Sequence, residues 1–295
     1  MKWQSETKRP IGCAEGSRGG YAEMLPYDLF EFGYFPRWLD SLDELQEMAQ
    51  PEPWAFPGYE YDGRFNTLNP ILERYLNNIY MRGASLYNVA ASQGERDRLI
   101  VLRPEFAAFD TGLMTPQYTP IIAYFARNTR PGERRWYFKG WATPGSAILA
   151  RAAPLPERIP FTAAPFDPSW PIRVNAQHML QDENNIQRIP HEVRHTKHLP
   201  LLLETAVELA RRQAAICPGI VVPQFYQRRI QYLLPICLTD PDQTDLAMTL
   251  SPAGGYYIAS TMLTLRMAYL NARPVGRSLA PWLAEPMKGR MENGR

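Results

Sequence analysis

The chain has 295 residues, 45% hydrophobic and 21% charged, which is ample for a buried core and too ordinary a mix for a disordered or fibrous protein. Its net charge of +2 creates no field strong enough to argue, by itself, for a nucleic-acid or membrane partner. Cys13, Cys217 and Cys237 are widely spaced with no CxxC pair, so a cysteine metal site is not expected and a reducing compartment is. The first residues carry no apolar signal core, and no run approaches the ~18 apolar residues of a membrane span. The expectation is a cytoplasmic protein with no membrane partner.

The positive charge is skewed. Lys2, Lys8, Lys139, Lys197 and Lys288 are the only lysines, so the rest is arginine. Arginine suits bidentate phosphate contacts and stacking on bases, although genomic base composition produces the same skew.

In chain order, residues 1–26 read as a flexible arm, 27–283 as one domain and 284–295 as a flexible tail. Leu29 to Pro36 form an aromatic cluster. Ser41 is placed to N-cap a helix over Leu42 to Ala49, with Glu44 completing a capping box. Trp54 to Phe65 lacks periodicity and reads as loop. Asn69 to Tyr87 is a clear helix: Asn69 caps, Pro70 suits the first turn, and Leu72, Tyr75, Leu76, Ile79 and Tyr80 form one apolar face. After Gly94 short aromatic or β-branched runs follow, at Leu99–Leu102, Phe106–Phe109, Ile121–Phe125 and Arg135–Trp141. Their close spacing predicts antiparallel pairing. Thr143 to Trp170 is proline-rich and irregular, long enough to be a lid or a wrap.

Ile172 to Leu180 is open between strand and helix, and Gln181 to Lys197 reads as polar loop. Leu199 to Ile216 is an amphipathic helix stopped by Pro218-Gly219. Ile220–Val222, Ile230–Leu238, Leu246–Leu250 and Tyr256–Met262 form a second group of strands. Leu263 to Ala272 then returns to helical spacing and stops at Pro274. Strands in two runs with several packed helices predict an α+β fold, mainly antiparallel, in a single large domain.

Several constellations offer chemistry. The last helix ends in Tyr269, Asn271 and Arg273, a ring, an amide and a guanidinium able to hold a planar ligand; packing and capping explain them equally well. Asp110-Thr111-Gly112 reads as a tight turn with exposed N–H groups, and Gln117 and Tyr118 follow, a set able to cradle phosphate. It resembles the aspartic-protease triplet only superficially, since that chemistry needs two carboxylates sharing a proton. Arg173, Asn175 and Gln177 would share one face of a strand beside His178. Gln224, Phe225, Tyr226, Arg228 and Arg229 mix stacking rings with cations. His191, Glu192 and His195 reproduce H-E-x-x-H, in which two histidines bind zinc and the glutamate activates water, with His198, Glu204 or Glu208 as third ligand. Pro190, Pro200 and Arg194 oppose that arrangement.

Blocks spread over residues 27–283 resemble the family known as domain of unknown function 3825: LFEFGYFP, ILERYLNNIY, FDTGLMTPQY, IRVNAQHML, VVPQFYQRRIQYLLPICL and STMLTLRMAYLNAR. The resemblance rests on block order and spacing. It implies RNA or nucleotide handling, because such domains occur beside OST-HTH and cold-shock RNA-binding modules. The family carries an acid where this chain has Arg266. The expected function is therefore a nucleotide- or RNA-binding domain, extending at most to action on a phosphoester. Its expected ligand residues are Thr111, Gly112, Gln117, Arg173, Asn175, His178, Gln224, Tyr269, Asn271 and Arg273. The alternatives are a zinc-dependent hydrolase on His191, His195 and His198 with Glu192 as base, and a scaffold that binds protein. No cofactor is required outside the zinc alternative, and the expected partner is a nucleotide or single-stranded RNA.

Overall fold

The computed structural model describes residues 24–57, 68–130, 134–277 and 279–288. The expected arm up to residue 23, Cys13, most of the 54–65 loop and the end of the tail lie outside them. The fold is α+β, with two five-stranded, mostly antiparallel sheets. The first half supplies α1 (Leu29–Phe32), β1 (Gly33–Tyr34), α2 (Trp38–Met48), α3 (Pro70–Val89), α4 (Gln93–Leu99), β2 (Ile100–Arg103), β3 (Phe106–Met114), β4 (Pro120–Arg127) and β5 (Trp136–Ala142). The second half supplies β6 (Ile172–Arg173), α5 (Ala176–Met179), α6 (Glu183–Arg188), α7 (His191–Arg194), α8 (Leu199–Ile216), β7 (Val222–Tyr226), β8 (Arg229–Ile236), β9 (Leu246–Pro252), β10 (Tyr257–Leu263), α9 (Leu265–Ala272) and α10 (Pro281–Lys288).

The first sheet runs β1-β5-β4-β3-β2 and the second β6-β10-β9-β8-β7. In each, a two-residue edge strand joins in parallel, β1 on β5 and β6 on β10. Alternate residues of a strand point to opposite faces, and both sheets use this. Ala107 and Phe109 of β3 enter the central core, whereas Phe106 and Ala108 pack under Leu149 and Ala152 on the outer face. On β8, Leu233 joins the central core while Tyr232 and Leu234 pack against Leu203 and Val207 of α8.

The central core holds the two sheets together. Tyr75, Ile79 and Tyr80 of α3 meet Phe109 and Phe125 of the first sheet, and the same core takes in Val222, Leu233, Ala247 and Leu263 of the second with Ala268 and Tyr269 of α9. One continuous apolar body of this extent makes the chain a single unit.

Local structure departs from expectation where tertiary packing decides. Helix α2 begins at Trp38, not at Ser41; Ser41 lies inside it and donates to the Arg37 carbonyl at 2.8 Å. Leu42 and Leu45 bury the helix while Trp38 Nε1 reaches Glu73 at 2.8 Å, so packing extends it past the polar residue that looked like a cap. Asn69 occupies the N-cap position of α3, but its amide donates to Asp43 at 3.0 Å instead of capping. The capping box belongs to α4, where Ser92 and Glu95 exchange side-chain bonds with each other's backbone; this helix leads directly into β2, the strand expected at Leu99–Leu102. Gln181 to Lys197 folds into α6 and α7 rather than loop.

The proline-rich stretch is a wrap, irregular except for a 3-10 turn at Ala147–Ala152. It is pinned along its length. Glu157 N donates to Arg98 O at 2.6 Å, Arg82 to Pro160 O at 3.2 Å, and Tyr232 Oη to Ala164 O at 2.6 Å. Phe166 stacks on Tyr257, ring centres 4.8 Å apart. The wrap thereby links the rim of the first sheet to the far face of the second. Among the described residues no helix is long and apolar enough to cross a membrane.

Candidate functional site

The inner face of the second sheet changes character along its strands. Val222, Leu233, Ala247 and Leu263 are covered by the helices of the central core. Beyond that cover, the same face carries Gln224, Gln231, Thr249 and Ser251, since Val222 pairs with Leu233 and Gln224 with Gln231 in alternating register. A cleft of about 680 Å³ opens over this polar end. A cavity of that size takes a small organic ligand of nucleotide scale.

The floor is a chain of hydrogen bonds across three strands. Asn271 Nδ2 donates to Gln224 Oε1 at 3.2 Å, Gln224 Nε2 to Gln231 Oε1 at 3.0 Å, and Gln231 Nε2 to Ser251 Oγ at 2.9 Å. A register shift in the β9–β10 pairing between Ala259 and Met262 marks a bulge that brings Ser260 and Thr261 to the same cleft. One wall is apolar, made by Leu263, Met267 and Leu270.

Three arginines stand around the floor: Arg74 from α3, Arg188 from α6 and Arg229 from β8. Arg188 is fixed by its Nη1 donating to Met262 O at 2.6 Å. Helix α6 is itself fastened there, because buried Asn185 accepts from Thr261 Oγ1 at 2.7 Å. Burial lowers the pKa of the Arg74 guanidinium, against the opposing pull of Tyr226 and Asp28; an arginine nevertheless stays charged. No Asp or Glu lines the cleft among the described residues.

Arg229 and Tyr226 close a two-residue hairpin whose turn residues, Gln227 and Arg228, have φ of 46° and 64°. Such a turn normally uses Asn-Gly, since a side chain at positive φ costs about 1–2 kcal/mol per residue. Arg228 is held by lying 4.4 Å above the Tyr27 ring, and Gln227 reaches the cleft.

The three end residues of α9 do not act together. Residues two apart on a helix point to nearly opposite sides, whereas residues four apart share a face. Asn271 faces the cleft, while Tyr269 and Arg273 turn toward α3. Arg273 is buried and paired through two nitrogens with Glu52: Nε bonds Oε1, and Nη2 meets Oε2 at 2.8 Å. Its guanidinium lies 4.7 Å from the Tyr75 ring centre and 5.4 Å from that of Trp54. Burial alone would lower its pKa; the Glu52 hydrogen bonds together with Tyr75 and Tyr269 raise it above the ordinary value.

Asp110-Thr111-Gly112 is not an exposed turn but an irregular stretch within β3. Thr111 is fully buried and its hydroxyl donates to Ile121 O at 2.6 Å. Gly112, at φ 74°, helps line a second, smaller cleft of about 260 Å³ with Tyr75, Arg158, Phe161 and Pro274. A Cβ on Gly112 would lie 2.5 Å from Tyr75 Oη, so both backbone and space require glycine. Gly112→Ala is expected to cost about 1–2 kcal/mol from the backbone alone; an unchanged melting temperature would show that Tyr75 yields freely and β3 relaxes.

Gln117 sits exposed in the turn between β3 and β4 and lines neither cleft. Arg173 lies over the Tyr256 ring at 3.8 Å, on the edge strand β6. Asn175 caps α5 by accepting from His178 N at 3.0 Å, so the strand face proposed for Arg173, Asn175 and Gln177 ends after Arg173. His178 is exposed. Of the expected ligand residues, the larger cleft brings together Gln224 and Asn271. His191 and His195 sit on α7 and its C-cap with ring centres 5.7 Å apart, His198 begins α8, and Arg194 donates back to the Ile189 and Gln187 carbonyls. No group of three His, Cys, Asp or Glu able to hold a metal occurs among the described residues. Arg266 lies over Phe56 at 5.4 Å and donates to Pro57 O.

Fold and cleft together define an α+β domain whose second sheet offers a cationic, amide-floored pocket beside a shared helical core. The chain belongs to the family described as Domain of unknown function (DUF3825), whose model matches residues 45–282. Neither a curated protein nor a solved structure matches it at a significant level.

Proposed function

We propose that this is a nucleotide-binding domain whose larger cleft takes a nucleotide, free or as one unit of single-stranded RNA. The observation that carries the reading is three arginines around a polar floor with no acid in the lining among the described residues. Phosphate oxygens would meet Arg74 and Arg229 at the rim, where charge-assisted bonds are strongest. The planar base would lie against Leu263, Met267 and Leu270 with its edge on the floor. Among the described residues the cleft supplies no carboxylate, histidine or thiol to move a proton, so the reading is one of binding and carries no phosphoester chemistry. The free thiols Cys217 and Cys237 fit a cytoplasmic setting for that role.

Titration of the full chain with a panel of ribonucleoside monophosphates tests it. Loss of one charge-assisted contact is worth about 1.5–3 kcal/mol, so Arg74→Ala or Arg229→Ala should weaken binding by roughly ten- to a hundred-fold. Affinity should also fall as salt rises. Nucleotide binding that both substitutions leave intact would sink this assignment of the site.

A further inference from the structure

We infer that the floor of the cleft reads a base edge carrying two adjacent hydrogen-bond acceptors, and so prefers guanine to adenine nucleotides; this rests on the nucleotide-binding reading above. The hydrogen-bond chain from Asn271 through Gln224 and Gln231 to Ser251 runs in one sense throughout. Turning over Gln231 alone would set its N–H groups against those of Gln224. Each amide therefore holds the orientation of the next, and Asn271 Nδ2 as the first donor sets the sense of the row that the floor presents.

Burial decides which members of the chain face a ligand. Gln224 is fully buried and Asn271 nearly so, whereas Gln231 and Ser251 are half-exposed. Gln231 uses one of its two amide N–H groups on Ser251, leaving the second. Ser251 Oγ accepts that bond, which leaves its own O–H to donate. Two donors thus stand side by side, their heavy atoms 2.9 Å apart. Thr249 adds no competing acceptor there, because its hydroxyl is taken up by the Thr261 backbone, donating to the carbonyl and accepting from the N–H.

A pair of adjacent donors matches a pair of adjacent acceptors. Guanine offers O6 and N7 on one edge, whereas adenine offers N7 beside an amino donor. Against this floor the adenine amino group can be met only by the remaining lone pair of Ser251 Oγ, which leaves the Ser251 O–H without its partner on the base, a mismatch that guanine avoids.

The experiment is calorimetric titration of the full chain with GMP, AMP and ribose 5-phosphate, repeated on Gln231→Leu and Ser251→Ala. GMP is expected to bind about ten- to a hundred-fold more tightly than AMP. Either substitution should collapse that ratio toward one, with the melting temperature reporting that the variant is folded; Ser251→Ala serves where Gln231→Leu fails to fold. Equal affinity for AMP and GMP, both above ribose 5-phosphate, would overturn the donor-edge reading and leave a base site. Ribose 5-phosphate binding as tightly as GMP would overturn base reading and leave a phosphate site. Binding of none of the three would instead bring down the nucleotide reading on which the inference stands.

Discussion

Arg273→Ala is expected to lower the unfolding free energy by about 3–5 kcal/mol, the usual consequence of leaving one member of a buried ion pair without its partner. Arg273 and Glu52 have side chains only 6% and 8% exposed, so neither can recover hydration in place of the other. The loss goes beyond the pair, because the guanidinium also packs against Tyr75 and Trp54. One compensation exists: Arg277 Nε lies 3.1 Å from Glu52 Oε2 and would retain part of the charge balance from its more exposed position. Arg273→Lys should recover only a fraction, since an ammonium cannot reproduce the two-point contact. Chemical denaturation of Arg273→Ala measures the effect. The same sample should keep any nucleotide affinity while it remains folded, because Arg273 faces away from the larger cleft. A silent melting curve with lost nucleotide binding would reverse this and restore Arg273 as a ligand residue.

The sequence exposes those parts of the fold whose signals are local. Helix α8 spans the residues expected of it, Leu199 to Ile216, because a 3.6-residue apolar period there is bounded by Pro200 in the first turn and Pro218 just beyond the end. The two groups of strands were legible for the same reason, in short β-branched runs between turn residues. Where a segment's partner lies far along the chain, legibility ends. Ser41 resembles a cap until Trp38 finds Glu73, 35 residues away. The site shows the same limit more sharply. Gln224 and Asn271 stand out as amides in apolar stretches, yet Gln231, Thr249 and Ser251 look like ordinary polar interruptions of β8 and β9. Only the pairing register places them in one row beside Gln224. Arg74 and Arg188 belong to helices that reach the cleft through the packing of α3 and α6. One correction was available without the structure: on a helix, the two-residue spacing of Tyr269, Asn271 and Arg273 already separates the middle residue from the other two.

The remaining large effect concerns Asp110, which is 4% exposed yet forms no ion pair within 4 Å among the described residues. Burial raises its pKa from the ordinary 3.8 to about 6, opposed by the Gly112 N–H, which donates to Oδ1 at 2.6 Å, and by the charge of Arg158. The same surroundings contain Tyr75, whose hydroxyl is pushed up to about 12 by burial and stays protonated through the range of interest. Because the folded pKa lies above the unfolded one, the folded chain holds a proton between pH 3.8 and about 6 that the unfolded chain has released. The stability linked to this group is fully present below pH 3.8 and is lost as the pH rises through about 6. Two pKa units correspond to about 3 kcal/mol, so Asp110→Asn should stabilise the protein by up to that amount at pH 7.5 and by little at pH 4. The asparagine carbonyl can still accept from Gly112, which keeps the local backbone bond. Denaturation curves of both proteins across pH 4 to 7.5 give the difference directly. A gap that stays constant with pH would mean that Asp110 does not titrate in this range. A gap of the opposite sign at pH 7.5 would mean that its carboxylate is held by a favourable contact, with Arg158, which lines the second cleft and whose charge already acts on Asp110, as the first partner to examine.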